Sequence, residues 1–581
     1  MRTGINWLST FLLLACFLVP ASNAATTVEF IGAGSSAIWQ EFAVAAVNDP
    51  LLNGPGAHHW TTKGKCGPAP GVNCAQAFDS RSGPGGTVSD HQGGNLWVVW
   101  NADETRVWAY LAVDSVVGNR LFFASPRATL EIDSTALTAG SGLNLIDPAL
   151  FKYGAACPAG VTGHCDDSFL PTTIFDALAA SPTLTAALTD ICPEDALFAS
   201  LRVNCPPPVK LGCLGYGVSG KPVGNDIQSA FSTSEATPVN YAITGDDPVS
   251  GDPIPAFATY PVGAQPIIIL VNRQDASGLG QKTTAGAFVI KNVTHSPQLQ
   301  TIFAGKNCNT NVWAGAAAHA IYPILREPLS GTMNTFEFTN LTNPVPANEF
   351  ADSQETSVGT KNPLAAACSL GGGKRYRAIG TGEEVKAVEN GDGSTFFTGK
   401  DAIGYVFFSY ENVSAIAGSS SWGYLTLDKV DPLLGNPGHS ATGELPACTL
   451  PCAVAPNTTF KNLRSGAYRS FSFVRLIADT TGAEPAAELV KGAQTDVNLY
   501  VPDFVPYAKN VGGNGDDGMA VYRSHFTITF DGVNVAPTAK NGVPFADPST
   551  EKGGDVGGCI ETLSNSAVLG EHENVTGGCT K

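Results

Sequence analysis

The chain is short of charge. Only 14% of its 581 residues are Asp, Glu, Lys or Arg, where soluble domains carry about a quarter. So few charges argue against long solvated helices. The 43% hydrophobic and 9% aromatic content excludes a disordered chain. Positive charge is scarcest: 33 Lys and Arg stand against 51 Asp and Glu, a formal net charge of −18. Loss of Arg2 with a leader peptide would take it to −19. Such a surface repels nucleic acid and anionic lipid, so neither is expected as a partner. It does not exclude a small anion, because a buried pocket can hold one with backbone N–H groups and one arginine.

Other absences narrow the function. Beyond residue 24 there is no run of 18 apolar residues, so no transmembrane segment is expected in the mature chain. There is no G-x-S-x-G elbow, no H-E-x-x-H and no G-x-x-x-x-G-K-[ST]. The nine histidines are scattered, and His58-His59 sits in a Gly/Pro loop and reads as surface. Asn514-Gly515-Asp516-Asp517-Gly518 lacks the spacing of an EF-hand and reads as a solvated turn. No enzymatic activity, cofactor or bound metal is expected. A secreted phosphohydrolase is the rival that turnover of a phosphomonoester would establish.

What is present points outward from the cell. Residues 1–24 read as a signal peptide, with Arg2, an apolar run from Leu8 to Val19, and Ser22-Asn23-Ala24 as the cleavage site. A competing reading takes Leu13-Leu14-Ala15-Cys16 as a lipid-attachment site. Thirteen cysteines follow, in agreement with an oxidising, periplasmic or extracellular location. The close pairs Cys66/Cys74, Cys157/Cys165, Cys192/Cys205, Cys448/Cys452 and Cys559/Cys579 read as disulfide staples of loops. Cys213, Cys308 and Cys368 remain, with at least one thiol left over. The Cys448/Cys452 pair has no second pair nearby to complete a zinc site.

The 64 glycines and 39 prolines predict many turns. Between them runs a pattern of strands and helices. Thr27–Ile31 leads through Gly32-Ala33-Gly34-Ser35-Ser36 into a helix over Ala37–Ala46. Leu96–Trp100 and Val107–Val113 read as strands, and Leu184–Leu188 as helical. Ile267–Val271 has the apolar continuity of a strand buried on both faces. Phe288–Ile290, Ala320–Leu325, Ala402–Phe408 and Phe526–Phe530 read as further strands. Pro297–Phe303 and Thr332–Thr339 read as helices. The alternation predicts an α/β fold.

The chemistry concentrates in Ile324-Leu325-Arg326-Glu327-Pro328-Leu329-Ser330-Gly331-Thr332. A strand delivers Arg326 at its end, and Ser-Gly-Thr opens a helix four residues later. A guanidinium fork, two hydroxyls and free helix-start N–H groups together make an anion site. The alternative is a plain helix cap beside a surface arginine.

With its surroundings, this segment resembles the periplasmic phosphate-binding proteins of bacterial ABC transporters. The blocks that carry the resemblance are Arg326 and Ser330-Gly331-Thr332 with Phe336 and Phe338 after them, Leu299–Lys306, Tyr260-Pro261-Val262 with Ile267–Asn272, Gly404-Tyr405-Val406, and the Gly32–Ser36 turn. Gly466-Ala467-Tyr468-Arg469 departs from the pattern at Arg469, where proline is usual. The match is clear over residues 265–410 and extends with gaps over 27–480. It implies a two-lobed, type II periplasmic-binding-protein-like fold with two crossover strands. Lobe 1 would comprise 25–265 plus 410–505, with an insertion at about 50–185. Lobe 2 would be 266–409, and 506–581 a loop-rich extension. It also implies uptake of an oxyanion, phosphate first, for an ABC transporter membrane complex. By position, Ser36 gives a hydroxyl and Ala37 an N–H, and Arg326, Ser330, Gly331 and Thr332 complete the cradle. Asp190-Ile191-Cys192-Pro193-Glu194-Asp195-Ala196 resembles the aspartate block and puts Asp195 in the site, unless that block is a surface helix start. Ser82, in Ser82-Gly83-Pro84-Gly85-Gly86, is the candidate for a loop serine. Pro328 stands where the family has an acidic residue, which predicts a less acidic pocket. A rival function is a secreted binding or adhesion protein that keeps the fold without transport.

Overall fold

The computed structural model describes residues 25–52, 56–62, 74–143, 145–151, 165–191, 193, 196, 241–243, 245–327, 329–341, 365–378, 380–390, 401–452, 454–455, 458–480, 484–506, 521–523, 527–530, 535–538 and 560–562. The signal-peptide segment, Asp195, Pro328, Asn514–Gly518 and Cys66, Cys157, Cys192, Cys205, Cys213, Cys559 and Cys579 lie outside them.

The fold is α/β, built on one long mixed sheet. The elements that matter for function are β1 (Thr27–Gly34), α1 (Trp39–Asn48), β2 (Ala57–Thr62), β3 (Asn95–Asn101), β4 (Arg106–Ala112), α2 (Ser115–Phe123), β5 (Ala186–Thr189), β6 (Phe257–Asn272), β7 (Tyr322–Leu325), α3 (Gly331–Phe336), β8 (Lys374–Arg377), α4 (Thr381–Asn390), β9 (Ala402–Phe407), β10 (Trp422–Leu427) and β11 (Phe471–Asp479). The strands lie in the order β2-β3-β4-β1-β5-β11-β6-β9-β7-β8, with β10 on the free stretch of β6. β1 runs parallel to β4 and β5, and β7 runs parallel to β9 and β8.

Two strands join the halves of this sheet. β6 is 16 residues long. Its first part, to Pro266, pairs antiparallel with β11; from Ile267 on it pairs with β9 and β10. The apolar run at its centre makes this possible. Ile267, Ile269 and Val271 pack into one core and Ile268 and Leu270 into another, all at most 1% exposed. A strand covered on both faces needs apolar residues at successive positions, not alternate ones. Each such side chain contributes about 1.5–3 kcal/mol on burial. The β1 half repeats the arrangement: Ile31 and Ala33 face one core with Val98, Trp100 and Ala109, while Phe30 faces the other with Trp97, Val99 and Trp108.

Three expectations are corrected. Leu184–Leu188 is not helical: Ala186–Thr189 is β5, four residues wedged between β1 and β11 and buried throughout. The segment is too short to nucleate a helix, and neighbouring strands supply the partners for its backbone. Phe288–Ile290 forms no strand beyond a single bridge from Phe288 to Lys282. Arg273 and Lys282 lie over the Phe288 ring instead. The helix expected over Thr332–Thr339 is α3 followed by a π-helical turn over Glu337–Leu341. The stretch read as an insertion adds β2, β3 and β4 to the main sheet, and β4 lies directly beside β1.

Gly34 closes β1 with φ of +139°, and a Cβ there would meet the Leu188 carbonyl oxygen at 2.1 Å. The tight fit lets Ser35 N–H reach the Leu188 carbonyl at 2.8 Å while Val113 N–H takes the Gly34 carbonyl at 2.7 Å. Three strand ends are thereby tied together, and all three lead into the site.

Cys448 and Cys452 are joined, as their spacing suggests, and Cys74 is bridged. Cys308 and Cys368, left unassigned by spacing, are bridged to each other with Cα atoms 5.9 Å apart and a sequence separation of 60 residues. A loop of that length predicts a contribution of about 4 kcal/mol through the unfolded chain. Chemical denaturation of Cys308→Ala/Cys368→Ala against the parent should show a loss of that order. An unchanged midpoint would mean that the bridge constrains nothing the rest of the fold does not already fix.

Candidate functional site

β7 carries Arg326 out at its carboxyl end. The guanidinium is 2% exposed and is met on every side. Its Nε and one terminal nitrogen donate to the two oxygens of Glu327 at 2.8 and 2.7 Å, a side-on fork. Its other terminal nitrogen donates to Thr381 Oγ1 at 3.0 Å and to Thr332 Oγ1 at 3.5 Å. Asp114 and Glu384 each bring an oxygen to 3.8 Å. Gly380 N–H donates to both Glu327 oxygens at 3.1 Å.

Three helices begin at this point. α2 starts at Ser115 behind Asp114, α3 at Gly331 behind Ser330, and α4 at Thr381 behind Gly380. The first N–H groups of a helix have no acceptor within it, and they carry partial positive charge. α2 comes from the β1 half of the sheet, and α3 and α4 from the β7 half. They meet closely: a Cβ on Gly331 would stand 1.7 Å from Asp190 Oδ1 and 2.6 Å from Ser115 Oγ. Only glycine lets α3 begin against the end of β5. Ser115 Oγ donates to Asp190 Oδ1, and Ser472 Oγ donates to the Asp190 carbonyl.

The electrostatics follow from burial. Burial alone would lower the Arg326 pKa, but Glu327, Glu384 and Asp114 outweigh it and keep the guanidinium charged. Burial would raise Glu327, and Arg326 reverses this and holds it below the usual carboxylate range. Asp114 and Glu384 go the other way. Burial pushes both well up; the Glu327 charge adds to this, and Arg326 only partly offsets it. Asp190 is raised to about 7, mainly by burial, with Arg326 and Arg475 pulling against it. One guanidinium thus holds one carboxylate firmly ionised, while three others favour their protonated forms. Such groups can accept or donate at the same surface.

Beside this cluster opens a cleft of about 620 Å³, whose wall includes Ser36, Ala37, Asp114, Glu327, Thr381 and Glu411. Ser36 is exposed on it; the Ala37 N–H donates to Ser35 Oγ at 3.1 Å. Arg326, Ser330, Gly331 and Thr332 lie together and buried, next to Glu327 and Thr381 of the cleft wall but not themselves part of it. Ser330 Oγ takes the Met333 N–H at 3.4 Å and so also caps its helix.

No protein-family model and no curated protein matches the chain. Solved structures similar to it include a high affinity periplasmic phosphate-binding protein bound with phosphate, at 12% identity and a TM-score of 0.28, covering 81% of this chain and 90% of that one. A phosphate-binding protein from Stenotrophomonas maltophilia aligns at 15% identity and a TM-score of 0.25, over 55% of this chain and 71% of its own. An ABC-type phosphate transport receptor from Vibrio cholerae aligns at 15% identity and a TM-score of 0.23, over 41% and 67%. At these scores the likeness says nothing about ligand or site residues.

Ser82 is exposed on a hairpin with Thr87 and is not part of the cleft wall. Carboxylates crowd Arg326. Glu327, directly after the arginine, occupies the fork, and Asp114, Asp190 and Glu384 surround it. Sequence reasoning passed over Asp114, Ser115, Asp190, Thr381 and Glu384. Asp114-Ser115 carried a usable signal, since a strand followed by a hydroxyl at a helix start is the same pattern as at Arg326 and Ser330. Asp190 was within the block quoted for Asp195, five residues earlier and at the strand end itself.

Asp190 gives a pH signature. Its folded pKa lies above the unfolded one, so the native state binds the extra proton. Stability should therefore fall as pH rises from about 4 to 7, by up to about 4 kcal/mol from this group. Urea denaturation of the parent across pH 4.5–8 should show that decline, and Asp190→Asn should flatten it. Parallel curves for the two proteins would mean that Asp190 is ionised in the folded state.

Proposed function

We propose that the protein is a secreted or periplasmic solute-binding protein that holds an inorganic oxyanion, phosphate first, between two lobes, for uptake through an ABC transporter. The observation that carries this is the convergence of three helix starts on the buried Arg326. Preorganised N–H groups, hydroxyls and one guanidinium are what a tetrahedral oxyanion requires. One lobe is built from residues 25–265 and 410–505, the other from 266–409. β10 (Trp422–Leu427) is the exception within 410–505: it pairs with β6 from Ile269 to Asn272 and so goes with the second lobe. β6 and β11 are the crossing strands between them.

Ser36, Ala37, Ser115, Ser330, Gly331, Thr332 and Thr381 supply the neutral donors in this reading, and Arg326 the charge. Asp190 takes the role expected of Asp195. A carboxylate beside an anion is costly unless the ligand has a proton to give it. Hydrogen phosphate has one near neutral pH and sulfate does not, so the site would prefer phosphate. The ionised Glu327 also makes a fully ionised ligand unfavourable, which sharpens the same preference.

Calorimetric titration of phosphate, sulfate and molybdate into the full-length protein tests the proposal. Phosphate should bind more tightly than sulfate. Arg326→Ala should weaken phosphate binding by about 2–4 kcal/mol, and Asp190→Asn should narrow the gap between the two anions. Unchanged phosphate affinity in Arg326→Ala would place the site elsewhere. Binding of none of the three anions by the parent would leave the fold with another ligand.

A further inference from the structure

A second cluster lies at the opposite end of the β7–β9 pair from Arg326. β6 ends at Asn272 and leads to Asp275. His319 precedes β7, and Asp401 immediately precedes β9. His319 Nε2 lies 3.1 Å from Asp401 Oδ2 and 3.6 Å from Asp275 Oδ2. All three potential ligand atoms fall within 4.8 Å of one another.

We infer that Asp275, His319 and Asp401 form a site for a divalent transition-metal cation of the zinc type.

The spacing supports this. Ligand atoms about 2.0–2.1 Å from a tetrahedral cation stand about 3.3–3.4 Å apart, and the two imidazole–carboxylate separations bracket that value. An imidazole with two carboxylates is a donor set suited to zinc or manganese rather than to calcium or magnesium, which take oxygen only. Three protein ligands leave a fourth position open.

The three backbones are also held independently of any cation. Leu279 N–H donates to Asp401 Oδ1 at 2.7 Å, which turns Oδ2 towards His319. Ser277 N–H fixes Asp275 Oδ1 at 2.7 Å and leaves Oδ2 for the cluster. His319 is held by its own N–H on Asn309 Oδ1 and its carbonyl on Thr310 N–H, at 3.1 and 2.8 Å. Gln281 ties the loop after Asp275 to the segment before His319 through the carbonyl and the N–H of Ala317. Hydrogen bonds that orient the ligands from behind are the usual support of a metal site. His58, His295 and His439 each meet one carboxylate at 2.9 Å or less, and among the described residues His319 alone is bracketed by two. Asp275 and His319 are each about a third exposed, so an ion can enter and either side chain can be replaced without opening a core. The competing account is an imidazole hydrogen-bonded between the two carboxylates with no cation among them.

The test is zinc chloride titrated by calorimetry into the chelator-treated full-length protein near neutral pH. Cobalt(II) absorption serves as a second readout of the ligand field. One saturable site is expected. His319→Ala and Asp275→Ala should each weaken binding at least about tenfold and change the cobalt spectrum, while His58→Ala and His439→Ala should do neither. No zinc binding by the parent, or binding that both His319→Ala and Asp275→Ala leave unchanged, overturns the assignment and leaves the cluster a set of imidazole–carboxylate contacts. Phosphate titration of the same variants is a separate measurement, so this site can stand or fall without the oxyanion site.

Discussion

Burying a guanidinium without a counter-charge costs several kcal/mol, and Arg326 is 2% exposed. The surrounding structure is arranged to meet that cost. Glu327 closes the fork, Thr381 and Thr332 take the remaining donors, and Asp114 and Glu384 stand one shell further out. These partners come from β7 itself and from the starts of α2, α3 and α4. Neutralising one buried charge therefore fixes where three helices begin. It also brings the β1 half and the β7 half of the sheet into contact at Gly331.

The same arrangement decides what the cluster can tolerate. A single guanidinium cannot keep four neighbouring carboxylates ionised in a buried environment. Glu327 wins it by direct contact, and Asp114, Asp190 and Glu384 shift towards the neutral form. An added anion has to share Arg326 with Glu327 and be accepted by neighbours that hold or need protons. This is a stricter filter than a bare arginine at a helix start would give, and it discriminates by protonation state more than by size.

How much of this was legible in the sequence depended on whether the signal was local. Arg326 and Ser330-Gly331-Thr332 could be read because one strand, one turn and one helix start lie within nine residues. The doubly covered strand at Ile267–Val271 could be read from its uninterrupted apolar run. β5 could not. Its four residues have no periodicity, and they are a strand only because β1 and β11 flank them. With Leu184–Leu188 taken as helical, Asp190 was not seen to follow a strand end, and the block was read for Asp195, which lies outside the described residues. Reading residues 50–185 as an insertion hid Asp114 and Ser115 in the same way, although β4 delivers them from beside β1. The Cys308–Cys368 bridge joins residues 60 apart and had no short-range signature.

The two ends of the β7–β9 pair gather unlike sets of side chains. At the carboxyl ends, three helix starts gather around Arg326, and the carboxylates beside it compete for its charge. At the amino ends the loops bring Asp275, Asp401 and one imidazole together, so the field favours positive charge. The strands between are only four and six residues long. Tyr405 ties β9 into the Arg326 end: its hydroxyl accepts the Arg326 N–H, and its own N–H goes to Glu384 on α4. Its ring stacks on Phe336 of α3, with centroids 3.9 Å apart. Any change in the register of β9 that satisfied Asp401 at one end would move Tyr405 and loosen Arg326 and Glu384 at the other. Packing and hydrogen bonding thus hold β9 to the backbone of Arg326 and to α4 through a single buried aromatic residue.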